Sequence, residues 1–267
     1  MLRFNQNNGD IFMNKLIKFF VVSILLSFTS FSFSDHHMPN YSVMESFQCQ
    51  LNDGKGMDDV AKVDAAWNKW MQAGNVSVAY NSWRMVPVFQ NKKDFDFTHG
   101  WIGFTSNYED MGTIQDEWVA GGEKLQAKFD AVEDCTSVHG MSYVYLVRSA
   151  DEPFEDGFMT VSGCTLSEGA TNEAFFAADE KWNAYLEESN FSNIVLMRWA
   201  PGSGTGIDNP YDFLNVSVVP SFKEWGQNVD KLVTGGGAYS QSLYGELASC
   251  DTTRVYRTTY VGGYNPE

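Results

Sequence analysis

Cys49-Gln50-Leu51-Asn52-Asp53-Gly54 occurs again as Cys164-Thr165-Leu166-Ser167-Glu168-Gly169, and this repeat decides the fold. Both copies read Cys-x-Leu, a short polar residue, an acid, then Gly. A Trp-Asn pair follows 18 residues after each Cys, as Trp67-Asn68 and Trp182-Asn183. Working outward, the landmarks keep one register. Asn75 matches Asn190, Gly121-Gly122 matches Gly236-Gly237, and Cys135 matches Cys250, each at an offset of 115. Arg84 and Pro87 match Arg198 and Pro201 at 114. The chain is therefore read as an internal duplication.

Each copy has the same element pattern. Glu45–Leu51 reads as a strand closed by the Asn52-Asp53-Gly54 turn. Val60, Val63, Trp67, Trp70 and Met71 recur at helical spacing, so 57–72 is an amphipathic helix. Strands follow over 76–86 and 95–105, then a helix capped at Asn107 and a shorter helical piece over 123–132. The last strand is expected over 139–148. The order is β-α-β-β-α-β, the split-βαβ or ferredoxin-like motif. One such unit leaves a sheet face bare, and two copies can cover each other. In element order and duplication the chain resembles the dimeric α/β-barrel superfamily in a fused form, which includes antibiotic-biosynthesis-type monooxygenases. The resemblance implies an α+β fold of two tandem ferredoxin-like repeats, 43–148 and 158–262, packed as a pseudo-dimeric barrel across an acidic linker, 149–157. No catalytic motif of a family is carried over, so it bears on fold and not on activity.

Residues 1–34 are expected to be a secretory signal peptide. Lys15 and Lys18 precede the apolar run Phe19–Phe28 and the small-residue end Ser32-Phe33-Ser34, with Met13 as the start and 1–12 an over-called N-terminus. The run is short for a membrane span, and no other run reaches that length. Expected localisation is secreted or periplasmic, with no membrane span after cleavage. The charge of −16 becomes −18 once the leader and its Arg3, Lys15, Lys18 and Asp10 are removed. Such a surface repels phosphate backbones, so nucleic acid is not an expected partner. His36-His37 reads as part of a polar terminal tail.

The four cysteines are the strongest local signal. Cys49 to Cys135 and Cys164 to Cys250 both span 86 positions. In a βαββαβ sheet the first and last strands are antiparallel neighbours, and the two members of each pair fall where those strands meet. Disulfides Cys49–Cys135 and Cys164–Cys250 are expected, in keeping with export. No CxxC is present and copy two has no His, so no metal site is expected.

The candidate pocket is placed in copy one, between sheet and helices, around Asn81, Trp83, Arg84, His99, Trp101 and His139. The reason is asymmetry: His99 and His139 have Phe213 and Arg254 as counterparts, so a histidine site belongs to copy one alone. On strands two apart they would sit roughly 10 Å from each other if level, flanking a ligand. Histidine titrates near neutrality and suits acid–base work or haem ligation. Arg84 and Arg198, beside Trp83 and Trp199, suit recognition of a carboxylate or aromatic anion. Gly202-Ser203-Gly204-Thr205-Gly206 lacks the Lys-Ser/Thr of a phosphate loop and reads as a hairpin loop. Three functions follow. The first is an exported protein that binds a small apolar or anionic molecule, with no cofactor expected. The second is a cofactor-free monooxygenase-like enzyme, and the third a haem or metal protein.

Overall fold

The computed structural model describes residues 41–266 apart from 94, 149–154 and 192. The expected leader, the His36-His37 tail and most of the expected linker lie outside these residues. In chain order the elements are β1 (Tyr41–Leu51), α1 (Met57–Trp70), β2 (Tyr80–Phe89), β3 (His99–Thr105), α2 (Tyr108–Gly121), α3 (Glu123–Asp130) and β4 (Glu133–Arg148). Then come β5 (Gly157–Leu166), α4 (Asn172–Glu188), β6 (Ile194–Pro201), β7 (Phe213–Val219), α5 (Phe222–Lys231), α6 (Gly237–Tyr244), β8 (Ala248–Cys250) and β9 (Arg254–Tyr264). The fold is ferredoxin-like: helices laid on an antiparallel sheet.

Several boundaries differ from the sequence reading. β2 starts four residues later than expected and runs on to Phe89, through Pro87. β3 starts at His99 rather than at 95, leaving Phe95 and Phe97 in the approach to it. β4 opens at Glu133, so Cys135 lies inside that strand and not before it. Gly157, expected as linker, is the first residue of β5.

The sheet order is β7-β6-β4-β1-β3-β2-β9-β5-β8, with β7 also paired to β5. That extra pairing brings β7 back to β5, so all strands but the short β8 form a closed circuit. β4-β1-β3-β2 is contiguous, and β2 then pairs with β9 while β4 pairs with β6. β8 and β9 both pair with β5, on successive stretches of it.

Strand alternation divides the buried residues among three cores. One core joins Met44, Met85, Ile102, Met159, Met197, Val216 and Tyr256, from strands of both halves. A second packs Val60, Val63, Trp67 and Met71 of the α1 segment with Ile114 of α2 and Leu125 of α3 on Tyr80 and Trp101. The third gathers Trp182 and Leu186 of α4 with Ile194, Leu196 and Val219. α1 closes through a wide final turn, Met71–Asn75, in which Gly74 has φ of 82°. A side chain there would be strained, which explains the Gly-Asn stop.

Cys49 and Cys135 are register partners on β1 and β4, and Cys164 and Cys250 are register partners on β5 and β8. Both pairs are disulfide-bonded, with Cα separations of 4.1 and 4.0 Å.

Candidate functional site

Two cavities lie on the helix-covered faces of the sheet, one in each half. The N-terminal cavity, of about 660 Å³, is walled by Phe47, Trp67, Trp101, Trp118 and Phe129. Trp67 is the hub: its ring centroid is 5.7 Å from that of Trp101 and 5.1 Å from that of Trp118, both edge-on. The helical spacing of α1 and α2 brings these rings over the sheet, and edge-to-face contacts lock them there.

Polar groups reach this cavity from β1, β2 and β4. Arg84 forms a two-pronged pair with Asp64 of α1, with Nε to both carboxylate oxygens at 3.1 Å and Nη2 to Oδ1 at 2.6 Å. Its Nη2 also donates to Glu133 Oε1 at 3.1 Å. The other oxygen of Glu133 meets His99 Nε2 in a short hydrogen bond, and His99 Nδ1 lies 2.8 Å from Thr98 Oγ1. The guanidinium stacks 5.0 Å from the Trp101 ring. Burial raises the Asp64 carboxyl despite Arg84. Burial would raise Glu133 too, but its bonds to His99 and Arg84 outweigh that and hold it below the ordinary carboxylate range. Two donors on the cavity wall, Arg84 Nη1 and Trp67 Nε1, are buried without a hydrogen-bond partner among the described residues.

A second polar set centres on Glu45, a carboxylate only 4% exposed. Tyr80 donates its hydroxyl to Glu45 Oε1 at 2.6 Å and accepts from Trp101 Nε1 at 3.0 Å. Gln115 Nε2 donates to Glu45 Oε2 at 2.9 Å, and His139 Nε2 stands 3.6 Å from the same oxygen. Burial and the nearby carboxylate push the Tyr80 hydroxyl well above its ordinary pKa, so it stays a neutral donor. Glu45 raises His139, against the lowering effect of partial burial.

Of the six expected residues, Arg84, Trp101 and His139 line the cavity. His99 sits one step behind, bonded to the lining residue Glu133. His99 pairs with Cys49 and His139 with Glu45, so the two are staggered by four residues along β1, roughly 13 Å, and are not level. Asn81 and Trp83 face the other way. Trp83 packs on the shared core and donates to the Glu155 carbonyl, while Asn81 bonds to Asn265 and Tyr260. Arg84, expected to suit an anion, is paired with two carboxylates of the protein, Asp64 and Glu133. Phe97 packs on the shared core with Ile102, not on the Trp101 face.

Among the contributors missed are Asp64, Glu45, Tyr80, Glu133, Gln115 and Trp67. Asp64 carried a signal, since it lies on the apolar stripe of α1, four residues after Val60 and three before Trp67. Glu45 carried one too, as an acid on the buried face of β1 with Val43, Phe47 and Cys49. Cys49, Glu133 and Cys135 group their ligand atoms within 4.8 Å, but both sulfurs are in the disulfide and Glu133 is bonded to Arg84 and His99. Both ring nitrogens of His99 are engaged, so it offers no lone pair to a haem iron.

The C-terminal cavity, of about 790 Å³, was not anticipated. Arg198 and Asp179 repeat the Arg84–Asp64 pair there, Nη1 to Oδ2 at 2.7 Å and Nη2 to Oδ1 at 2.6 Å. Asn215 and Ser217 also line this second cavity.

No protein-family model matches the chain, and no curated protein matches it. Solved structures do. A protein from Lactobacillus acidophilus, provisionally described as a monooxygenase, aligns over 85% of this chain and 99% of its own, with TM-score 0.54 and 9% identity. A provisional monooxygenase from Fusobacterium nucleatum aligns over 85% and 96%, with TM-score 0.53 and 10% identity. An anthrone oxidase-like protein aligns over 84% and 95%, with TM-score 0.52 and 11% identity. The chain thus resembles the dimeric α/β-barrel proteins in fold. At such identities the likeness concerns fold alone.

Proposed function

We propose that the chain is an exported protein of two fused ferredoxin-like repeats, 43–148 and 158–262, joined as a pseudo-dimeric barrel, whose N-terminal cavity binds a small aromatic molecule bearing an oxygen acceptor. The observation that carries the binding reading is the pair of unpartnered buried donors, Arg84 Nη1 and Trp67 Nε1, on an aromatic-walled cavity. A buried donor without a partner is costly, and a ligand oxygen would satisfy it. The rings supply the apolar contact. The cavity volume is within the range of ordinary small-molecule sites. Two disulfides fit an oxidising compartment. No described helix is long and apolar enough to cross a membrane.

A second reading, favoured by the Glu45–His139 pair, is a cofactor-free monooxygenase. His139 as the neutral base takes a proton from an activated ring CH2 flanked by carbonyl or phenol groups. Dioxygen then oxidises the carbanion: the CH2 becomes C=O, one oxygen atom is retained, and the other leaves as water with the two hydrogens. In this reading His139 moves the first proton, and Glu45, 3.6 Å from its Nε2, orients it.

Tryptophan-fluorescence titration and oxygen uptake with hydroxylated anthrones test both readings. Trp118→Ala should abolish binding. His139→Gln should leave binding within about threefold and lower oxygen uptake by ~10²-fold or more. Binding that survives Trp118→Ala would move the site elsewhere, and turnover indifferent to His139→Gln would remove the enzymatic reading.

A further inference from the structure

The C-terminal cavity is built on the same strand positions as the N-terminal one, but its chemistry has been replaced. At the offsets of the repeat, Glu45 becomes Thr160, Tyr80 becomes Ile194, His99 becomes Phe213 and Glu133 becomes Ala248. All four replacements line the cavity. The fifth ionisable position, His139, becomes Arg254, which is not on the wall and pairs with Asp251 at 2.7 Å while stacking on Phe95. The acid–base set of the first half is thus absent from the second, position by position.

What remains is neutral. The one permanently charged lining residue, Arg198, is closed off by Asp179, and Asp179 also accepts the Tyr244 hydroxyl at 2.7 Å. The guanidinium is covered by the Tyr145 and Phe175 rings at 4.2 and 4.9 Å. Thr160 and Ser217 satisfy each other at 2.6 Å. Burial pushes the Tyr145 hydroxyl up to about 12, so it too stays uncharged. Among the buried side-chain polar atoms of the lining, one is left over. Asn228 of α5, 8% exposed, lines the cavity, and its Nδ2 has no hydrogen-bond partner among the described residues. Buried side-chain donors are nearly always paired, so an orphan within the wall of a large uncharged cavity points to an acceptor that arrives with a ligand and draws the amide toward it.

We propose that the C-terminal cavity is a second, separate binding site, for an uncharged and largely apolar molecule that presents one acceptor, such as a carbonyl oxygen, to Asn228 Nδ2. Desolvating an ionic ligand against this wall would find no compensating charge, so the site selects against anions and cations. The proposal stands independently of the reading given for the N-terminal cavity.

Nile red, uncharged and carrying a ring carbonyl, is a suitable probe for the intact, disulfide-bonded chain. Its fluorescence should shift to the blue and saturate, with a single-site component that persists when the N-terminal cavity is altered by Trp118→Ala. Asn228→Leu, close in volume but without the donor, should weaken binding about tenfold. Ser217→Trp should block the cavity, and Trp118→Ala, in the other half, should leave the affinity unchanged. A charged naphthalene sulfonate should fail to displace the dye. Unaltered affinity in Asn228→Leu, loss of binding in Trp118→Ala, or no saturable binding by the wild-type chain would each overturn the proposal. Should Ser217→Trp fail to fold, Asn228→Leu alone decides.

Discussion

Single carboxylates set the chemistry of the N-terminal cavity. Glu45 is buried on β1 and takes bonds from Tyr80 and Gln115, with His139 at ion-pair distance. The imidazolium is favoured by that carboxylate, so the folded pKa of His139 lies above its unfolded value. A group raised on folding stabilises fully below the unfolded pKa and loses that contribution as pH rises through the folded one. The melting-temperature gap between wild type and His139→Gln should therefore be largest below the ordinary histidine pKa and close as pH rises above the folded one. Differential scanning fluorimetry across that window checks it; a gap that widens with pH contradicts the Glu45 pairing. Catalysis by neutral His139 would run the opposite way, rising with pH. The histidine itself was legible in the sequence, because it occurs in one copy only. Its partner was not, because an acid on a buried strand face reads as ordinary alternation until its neighbours are known. The same holds for Asp64 and Asp179, polar residues on apolar helix stripes that are explained only once Arg84 and Arg198 are seen to meet them.

Elements were legible where periodicity is strong and local. The α1 stripe and the cap at Asn107 gave the helices of the first copy; Asn107 accepts from the backbone three residues on, and Ser221 does the same at the start of α5. Strand ends were less legible, since nothing local marks where pairing starts. β4 begins at Glu133 because the ladder to β1 continues through Cys135 to Leu51, a long-range fact. That extension puts Cys135 opposite Cys49 rather than beside the strand, while Cys250 meets Cys164 on the short separate strand β8. Each disulfide closes a loop of 86 positions, which the chain-entropy account values at about 4–5 kcal/mol. Replacing Cys49 and Cys135 together by Ala should lower stability by about that amount in urea unfolding under non-reducing conditions. The Cys164–Cys250 replacement should cost the same within about 1 kcal/mol, since loop length is equal. A loss under about 1 kcal/mol in both would show that the ladders, not the bridges, limit the unfolded chain.

At the scale of the molecule, each disulfide lies within its own half and neither crosses between halves. The halves are joined instead by two ladders. β2 meets β9 at nine register positions from Tyr80 to Phe89, and β4 meets β6 at eight from Gly140 to Arg148. They also share the core that brings Met44, Met85 and Ile102 together with Met159, Met197 and Val216. Two ladders and a common apolar core resemble an obligate interface, in which separation would bare strand edges and core at once. The chain segment over 149–154 is then dispensable for association. A protease site placed there, and cut after folding, should leave both fragments in one peak on gel filtration at the mass of the intact chain, with or without reductant. Denaturant should be needed to part them. Fragments that separate in native buffer would show that the connection, rather than the β2–β9 and β4–β6 ladders, holds the two repeats together, and would remove the pseudo-dimeric reading.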